Sequence, residues 1–361
     1  MTGFRDNPDQ TLAMTVALDN GRIDTRAALE VVRRIVPSWA SVTQARPTVV
    51  SGGITNALLR LSTENQDDVL VRVYGPNTEL VIDRDRENRL FARLSSAGFA
   101  PAYLGRFENG RVEQFLPGVR PLEPHEMGDL RWRAGIARTL AELHRMVPES
   151  LEPATFATLR GWMERAVQID FDGEAAQAHH DLGLPRLQAY LDRLQQTLHD
   201  KVIPGGSSPG HAAALRVVLA HNDLLSGNVL VDERSGAVRF IDYEYGDVGH
   251  AGFDVANHFC EYAGFDSDFA NGFPTQPIRW DFAATYLEAA APHAVAPSIG
   301  DVADFDRVVQ FFVLVDHLWW GTWAVLQAKH SPIDFDFMNY AQLRFAGLEF
   351  HTRLWGPTAG W

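Results

Sequence analysis

Residues 308 to 328 (VVQFFVLVDHLWWGTWAVLQA) limit the possible folds more than any other stretch of this chain. They are long and apolar enough to cross a bilayer as one helix. Gln310, Asp316, His317 and Gln327 interrupt the run, and such groups are costly in lipid. The expectation is therefore a helix buried on all sides in a large core, with no membrane span. The 361-residue length allows two ordinary domains or one two-lobed domain. A composition of 46% apolar and 22% charged residues is globular. The formal charge of −14 argues against nucleic acid or an anionic membrane as partner, although a local positive site for a nucleotide remains open. Cys260 is the lone cysteine, so no intrachain disulfide can form. That, with no apolar signal-like segment at the N-terminus, leads to a cytoplasmic expectation.

Local patterns divide the chain. Residues 1–24 are polar and expected to be poorly ordered. Thr48–Leu61 reads as strand, turn, strand, broken at Ser51-Gly52-Gly53, and Val69–Tyr74 (VLVRVY) as a third strand. Residues 83 to 97 read as a helix capped by Asp83 and stopped by Gly98. Ala102–Leu116 reads as a hairpin folded at Asn109-Gly110. Pro117-Gly118 is a linker, giving an expected first lobe over 25–118 and a mainly helical lobe over 119–361. Within the second, Ile203–His211 reads as a loop. Three short strands follow, at Val217–Ala220, Val229–Asp232 and Val238–Ile241, with a turn at Ser235-Gly236.

The densest chemical signal is His221-Asn222-Asp223-Leu224-Leu225-Ser226-Gly227-Asn228, followed by Ile241-Asp242-Tyr243-Glu244. Phosphoryl transfer to an alcohol needs one carboxylate to orient the hydroxyl and accept its proton. It also needs an amide oxygen and a second carboxylate to hold Mg²⁺ against the phosphates. Asp223, Asn228 and Asp242 match those roles at kinase spacing. Singly, each would read as a loop cap or strand end. Arg72 points opposite to Val71 and Val73 on its strand and can contact phosphates bidentately. Glu87 shares a helical stripe with Phe91 and Leu94, faces inward, and is expected to pair with Arg72. The turn Gly53-Ile54-Thr55-Asn56 has amides that could cover phosphates, a weak signal taken alone. His221 is expected to order the catalytic loop, Asp254 to brace it from a helix N-terminus, His179-His180 to be solvated, and Cys260 to be a small buried residue.

These segments together resemble the choline/ethanolamine kinase family: SGGITN at 51–56, LVRVYG at 70–75, HNDLLSGN at 221–228, FIDYEY at 240–245, FDVANHFCE at 253–261, and DHLWWGTWAVLQAKHSPIDFDFMNYAQLRF at 316–345. The similarity runs from about 45 to 350 in the family's order. It implies an α/β (α+β), two-lobed, protein-kinase-like fold, with a small β-sheet N-lobe and a larger helical C-lobe. It implies use of ATP and Mg²⁺ at the first step of phospholipid head-group synthesis. Asp223 resembles the catalytic base, Asn228 and Asp242 the magnesium ligands, Arg72 the phosphate-contacting arginine, and Gly53 to Asn56 the phosphate loop. Gln114, Phe115, Leu116 and Arg120 lie in the stretch resembling the one along the nucleotide between the lobes, at the Pro117-Gly118 linker. Glu261, Trp320, Trp323 and Tyr340 resemble the residues around the alcohol's ammonium. Trp320 and Trp323 also share a helix face by spacing, and aromatic faces attract a buried cation.

The expected acceptor is a small amino alcohol. Leu225, the run Glu261-Tyr262-Ala263-Gly264-Phe265-Asp266 and the run Thr78–Arg84 resemble the ethanolamine branch, whose pocket is expected to hold fewer aromatics. Choline is the alternative acceptor. An aminoglycoside-type antibiotic kinase is a further alternative, against which the tryptophan pair argues. The remaining one is a catalytically inactive kinase-like binding protein, against which the intact Asp223, Asn228, Asp242 and Arg72 argue. The sequence does not set the oligomeric state, and a homodimer is compatible with it.

Overall fold

The protein is described from a computed structural model that covers residues 7–19, 21–50, 55–331 and 333–359. The chain forms two compact units, Met1–Arg120 and Pro121–Trp361.

The first unit is built on strands β1 (Thr11–Leu12), β2 (Leu18–Asp19), β3 (Arg22–Ile23), β4 (Arg46–Val50), β5 (Asn56–Ser62), β6 (Val69–Tyr74), β7 (Tyr103–Phe107) and β8 (Gly110–Gln114). A six-stranded sheet runs in the order β1-β7-β8-β6-β5-β4, parallel only where β1 meets β7. Helix α1 (Thr25–Ile35) sets Ala28, Val31, Val32 and Ile35 on one stripe. That stripe joins Leu59, Leu61, Val71, Val73 and Val112 in one apolar core. Because successive strand residues alternate faces, Arg72, Arg111 and Glu113 fall on the opposite face. Helix α2 (Arg84–Ser96) begins at Asp83, whose carboxylate accepts the amides of Asp85 and Arg86.

Two expectations change here. The described part of 1–24 is not loose: β1 pairs with β7, β2 with β3, and Val16 is fully buried. The β7–β8 turn is Glu108-Asn109, one residue earlier than expected, and neither residue has positive φ. Asn109 instead accepts from Val16 N–H at 3.0 Å and donates to its carbonyl at 2.8 Å. Gly110 starts the strand because a Cβ there would collide with the Arg72 carbonyl.

The second unit holds helices α3 (Leu130–His144), α4 (Thr155–Gln168), α5 (Gly173–Asp181), α6 (Leu184–Thr197), α7 (Pro209–Leu215), α8 (Ala251–Cys260), α9 (Phe269–Gly272), α10 (Gln276–Ala290), α11 (Ile299–His330) and α12 (Phe337–Ala359). After β9 (Arg120–Pro121) at the boundary come β10 (Val217–Ala220), β11 (Val229–Val231), β12 (Val238–Phe240) and β13 (Asp247–His250). β10 pairs with β13, and β11 with β12, both antiparallel. The long apolar run lies in α11, and its most apolar window is 94% buried within the protein. α11 packs on α4, α7, α8, α10 and α12. Gly321 allows the close approach of α12, since a Cβ there would meet the Phe345 ring. The expected loop over 203–211 contains the start of α7, where the Ser208 hydroxyl accepts the His211 amide at 3.1 Å. His179 is not simply solvated: its Nε2 meets the Ala166 carbonyl at 2.9 Å.

Candidate active site

In the second unit, strand pairing assembles the chemistry. Asn228 and Asp242 are distant in sequence, but the β11–β12 register sets Val229 opposite Phe240. The Ile241 amide donates to the Asn228 carbonyl at 3.1 Å, which brings Asp242 alongside. Asn228 Nδ2 donates to the Asp223 carbonyl at 2.9 Å and to its Oδ2 at 3.0 Å. Asn222 and Asp242 take φ of 64° and 65°, a left-handed conformation rare outside glycine and typical of strained functional turns.

The loop is held from α8. Asp254 Oδ2 accepts the His221 amide at 2.7 Å and Oδ1 the Asn222 amide at 2.8 Å. Asp254 also meets His144 Nε2 at 2.9 Å. Burial alone would push the Asp254 carboxyl up. The bonds from His144 and the field of His144 and His221 outweigh burial and hold it below the usual range. His221 Nε2 meets the Ile241 carbonyl at 2.9 Å, tying the loop to the strand that carries Asp242.

Asp223 is buried, and burial pushes its carboxyl well above the ordinary range; Asp242, Glu261 and Glu244 raise it further. Four carboxylates therefore share one field. Carboxylate oxygens of Asp242 and Glu244 lie within 4.8 Å of one another. Glu244, missed as a site residue, was legible as the alternate position after Asp242. A cluster of hard oxygen donors with unbalanced negative charge suits a small divalent cation, so Asn228 and Asp242, with Glu244, fit Mg²⁺.

The aromatic wall lies on α11 and α12. Trp320 and Trp323 stand 5.2 Å apart edge to face, and Tyr245 completes a trio, accepting the Trp323 indole N–H at 2.7 Å. Phe337 extends the wall from Trp323, and Phe335 links Phe337 to Tyr340, which also meets Phe265. This is richer in rings than expected for the ethanolamine branch. Tyr340 and Glu261 meet through Arg344, whose Nη1 lies 3.2 Å from the Tyr340 hydroxyl and 3.1 Å from Glu261 Oε1. Arg344 also grips Asp316. Burial pushes the Glu261 carboxyl up to about 7, with Arg344 pulling down and Asp316 pushing up. Glu261 was expected to lie with Trp320, Trp323 and Tyr340 around the alcohol's ammonium, and it also has a cation of the protein, Arg344, beside it. With Glu261 and Asp316 both ionised, the three groups would sum to one negative charge. Arg344 was missed because its position at the end of a long amphipathic stretch reads as surface.

In the first unit, Gly53 and Ile54 lie outside the described residues. Thr55 and Asn56 are buried, and Asn56 Nδ2 donates to Thr55 Oγ1 at 3.0 Å. Arg84 Nη2 donates to Asn56 Oδ1 at 3.2 Å and to Thr78 Oγ1 at 2.6 Å. Glu87 faces inward as expected, but its close partners are Arg111 and Arg84, the latter at 2.7 Å. Burial pushes the Glu87 carboxyl up, yet Arg111, Arg84 and Arg72 outweigh it and hold it at about 2. Arg72 lies 3.5 Å from Glu113 and directly opposite Arg111 on the neighbouring strand. The sequence thus showed two members, Arg72 and Glu87, of a largely buried cluster of three arginines and two glutamates. Arg111 and Glu113 were visible as alternate positions on β8. Gln114 is exposed and accepts the Ala102 amide at 3.3 Å. The Phe115 ring is covered by the Arg60 guanidinium at 4.2 Å, and Leu116 and Arg120 are half-buried.

A sheet-and-helix first unit, a helical second unit, and Asp223 and Asn228 on one loop with Asp242 brought alongside by β12 define a protein-kinase-like phosphotransferase. The family model for choline/ethanolamine kinase matches residues 48–348. The chain belongs to the choline/ethanolamine kinase family and is a small-molecule kinase. It is 36% identical to a probable ethanolamine kinase of Arabidopsis thaliana over 325 residues, 88% of this chain and 83% of that one. It is 29% identical to probable choline kinase 2 of the same organism, over 89% of this chain and 90% of that one. A crystal structure of choline kinase from Cryptosporidium parvum Iowa II matches with a TM-score of 0.73 and 26% identity, covering 92% of this chain and 96% of that one.

Proposed function

We propose that the protein transfers the terminal phosphoryl group of ATP to the hydroxyl of ethanolamine. The observation that carries this is the shared field of Asp223 and Glu261. A carboxylate able to take a hydroxyl proton sits near a second carboxylate beside an aromatic wall, which matches an acceptor with a hydroxyl at one end and a cation at the other. The identity to a protein named as a probable ethanolamine kinase supports that acceptor.

Asp223 holds and deprotonates the hydroxyl, with Asn228 fixing the rotamer of its carboxylate. Glu261 and the faces of Trp320, Trp323 and Tyr340 bind the ammonium. Arg72 contacts the ATP phosphates, with Arg111 and Arg84 holding the glutamates around it and Thr55 and Asn56 in the phosphate-covering segment. Asn228 and Asp242, with Glu244, hold Mg²⁺, which supplies charge neutralisation to the phosphates when bound. Phosphoethanolamine serves head-group synthesis, and the single, buried Cys260 supports a cytoplasmic setting.

The ring-rich wall favours choline as a second reading, because a trimethylated ammonium is bound through rings and donates no hydrogen bonds. Parallel assays decide. We expect kcat/KM at least ~10-fold higher for ethanolamine, equivalent to about 1.4 kcal/mol of differential binding. An equal or higher value for choline overturns the assignment.

A further inference from the structure

Beyond the groups that meet substrate, a buried chain of hydrogen bonds runs from the ammonium side to the catalytic loop. Arg344 stands at its centre. Its Nη1 donates to Glu261 Oε1 at 3.1 Å, and its Nη2 to the Asp316 carboxylate and, at 3.3 Å, to the Asp316 carbonyl. The other Asp316 oxygen, Oδ1, accepts from Asn257 Nδ2 at 3.2 Å. Asn257 Oδ1 then accepts the amide of Leu224, the residue after Asp223, at 2.7 Å. Arg344 is 1% exposed, and Asp316 and Asn257 are fully buried. None of these bonds is accounted for by the fold alone. A buried ion pair is weak evidence for stability, because desolvation offsets much of its attraction.

The orientation of Asn257 is the critical link. An amide presents a donor and an acceptor that look alike in shape. The Leu224 N–H can only donate, so Asn257 turns its oxygen to Leu224 and its NH₂ to Asp316. Flipping Asn257 would set its oxygen against the carboxylate and its NH₂ against the Leu224 N–H. Arg344 in turn holds Asp316 in place and pulls its carboxyl down, against a burial that pushes it up.

We propose that Arg344, Asp316 and Asn257 are positioning residues that fix the spacing between the ammonium anchor Glu261 and the base Asp223. The guanidinium holds Glu261 at one end, and through Asp316 and Asn257 it holds the loop amide beside Asp223 at the other. The network thus acts as a ruler for the length of the acceptor. This rests on the functional reading above for its kinetic consequences, though not for its structural ones.

The test combines hydrogen exchange at the Leu224 amide with steady-state kinetics on the full-length protein, using Asn257→Ala, Asp316→Ala and Arg344→Lys. Exchange at Leu224 should rise at least ~10-fold in both alanine variants, because each frees the amide from a fixed acceptor. The kcat of both should fall at least ~10-fold with KM for ethanolamine within about 3-fold, since a small displacement of the base costs rate. The double variant should be no worse than the poorer single one, because both act through one bond. Arg344→Lys keeps the charge but loses the fork. It should raise KM for ethanolamine at least ~10-fold and leave KM for ATP unchanged.

Unaltered Leu224 exchange in Asp316→Ala overturns the proposal. So does thermal destabilisation with unchanged kcat and KM, which is what a merely structural role would give. Should Asp316→Ala fail to fold, Arg344→Lys carries the test: an unmoved KM for the alcohol overturns the ruler. A wild-type protein inactive on both alcohols, with Leu224 exchange still rising as described, sinks the functional reading and supports the network.

Discussion

Asp223 and Glu261 face opposite ends of the proposed acceptor and feel the same electrostatic pressure. Both are buried, and both are pushed towards the protonated form. Replacing Asp223 by Asn removes a charge from a crowded acidic field and keeps an oxygen for Asn228. Turnover should fall by ~10²–10⁴ while the melting temperature holds or rises. A variant retaining a third of wild-type turnover excludes Asp223 as the base. For Glu261, the folded carboxyl titrates at about 7, above its ordinary 4.5. The folded chain therefore binds a proton that the unfolded chain has already lost. This contribution to stability is present below 4.5 and is lost as pH rises to about 7, by an amount on the order of 3 kcal/mol. Glu261→Gln should flatten that part of the slope, read as the wild-type minus variant difference in denaturant midpoints across that window. An identical slope in both proteins would show that Glu261 is ionised in the fold throughout.

Among the elements, the antiparallel strand pairs and the α11–α12 pair place the chemistry. Register in β11–β12 sets Asn228 beside Asp242, and register in β6–β8 sets Arg72 opposite Arg111. α11 and α12 meet closely at Gly321, where the Phe345 ring leaves no room for a Cβ. Gly321→Ala should destabilise the protein by ~1–3 kcal/mol through overpacking. Gly161, in α4, faces open space. Gly161→Ala should stabilise by about 0.5–1 kcal/mol from helix propensity alone. Urea midpoints distinguish them: a harmless Gly321→Ala would mean that the two helices can separate at no cost.

At the scale of the whole molecule, the chain carries a net charge of −14, and Asp223, Asp242, Glu244 and Glu261 crowd four of its carboxylates into one field. A cation bound there should stabilise the fold by mass action, by about 2.7 kcal/mol at a hundred times its dissociation constant. Magnesium should therefore raise the melting temperature. The rise should be larger at pH 8 than at pH 5, because burial pushes the neighbouring Asp223 and Glu261 carboxyls up and the negative field that favours a cation weakens as they take protons. Asp242→Ala should abolish most of the effect. The same magnesium-induced rise in that variant would place the metal ligands elsewhere.

The local order of strands, the capped helix at Asp83, the buried character of 308–328 and the Asp223–Asn228–Asp242 spacing were all legible in the sequence. Each is written in short-range terms: alternation, capping chemistry, an apolar run, a fixed loop length. β1 was not, because Thr11–Leu12 is too short to show a period; α1 was missed although Ala28, Val31, Val32 and Ile35 recur at helical spacing. The choice of partners was also beyond local reading. Glu87 faced inward by its stripe, but whether Arg72, Arg84 or Arg111 would grip it depended on strand register. Glu261 was visible as an acid, but its pairing with Arg344, and the path from there through Asp316 and Asn257 to Leu224, joins three helices and a loop. A buried charge takes whichever opposite group the packing brings within reach. That distance is set by how α8, α11 and α12 close on one another, and only the tertiary structure decides it.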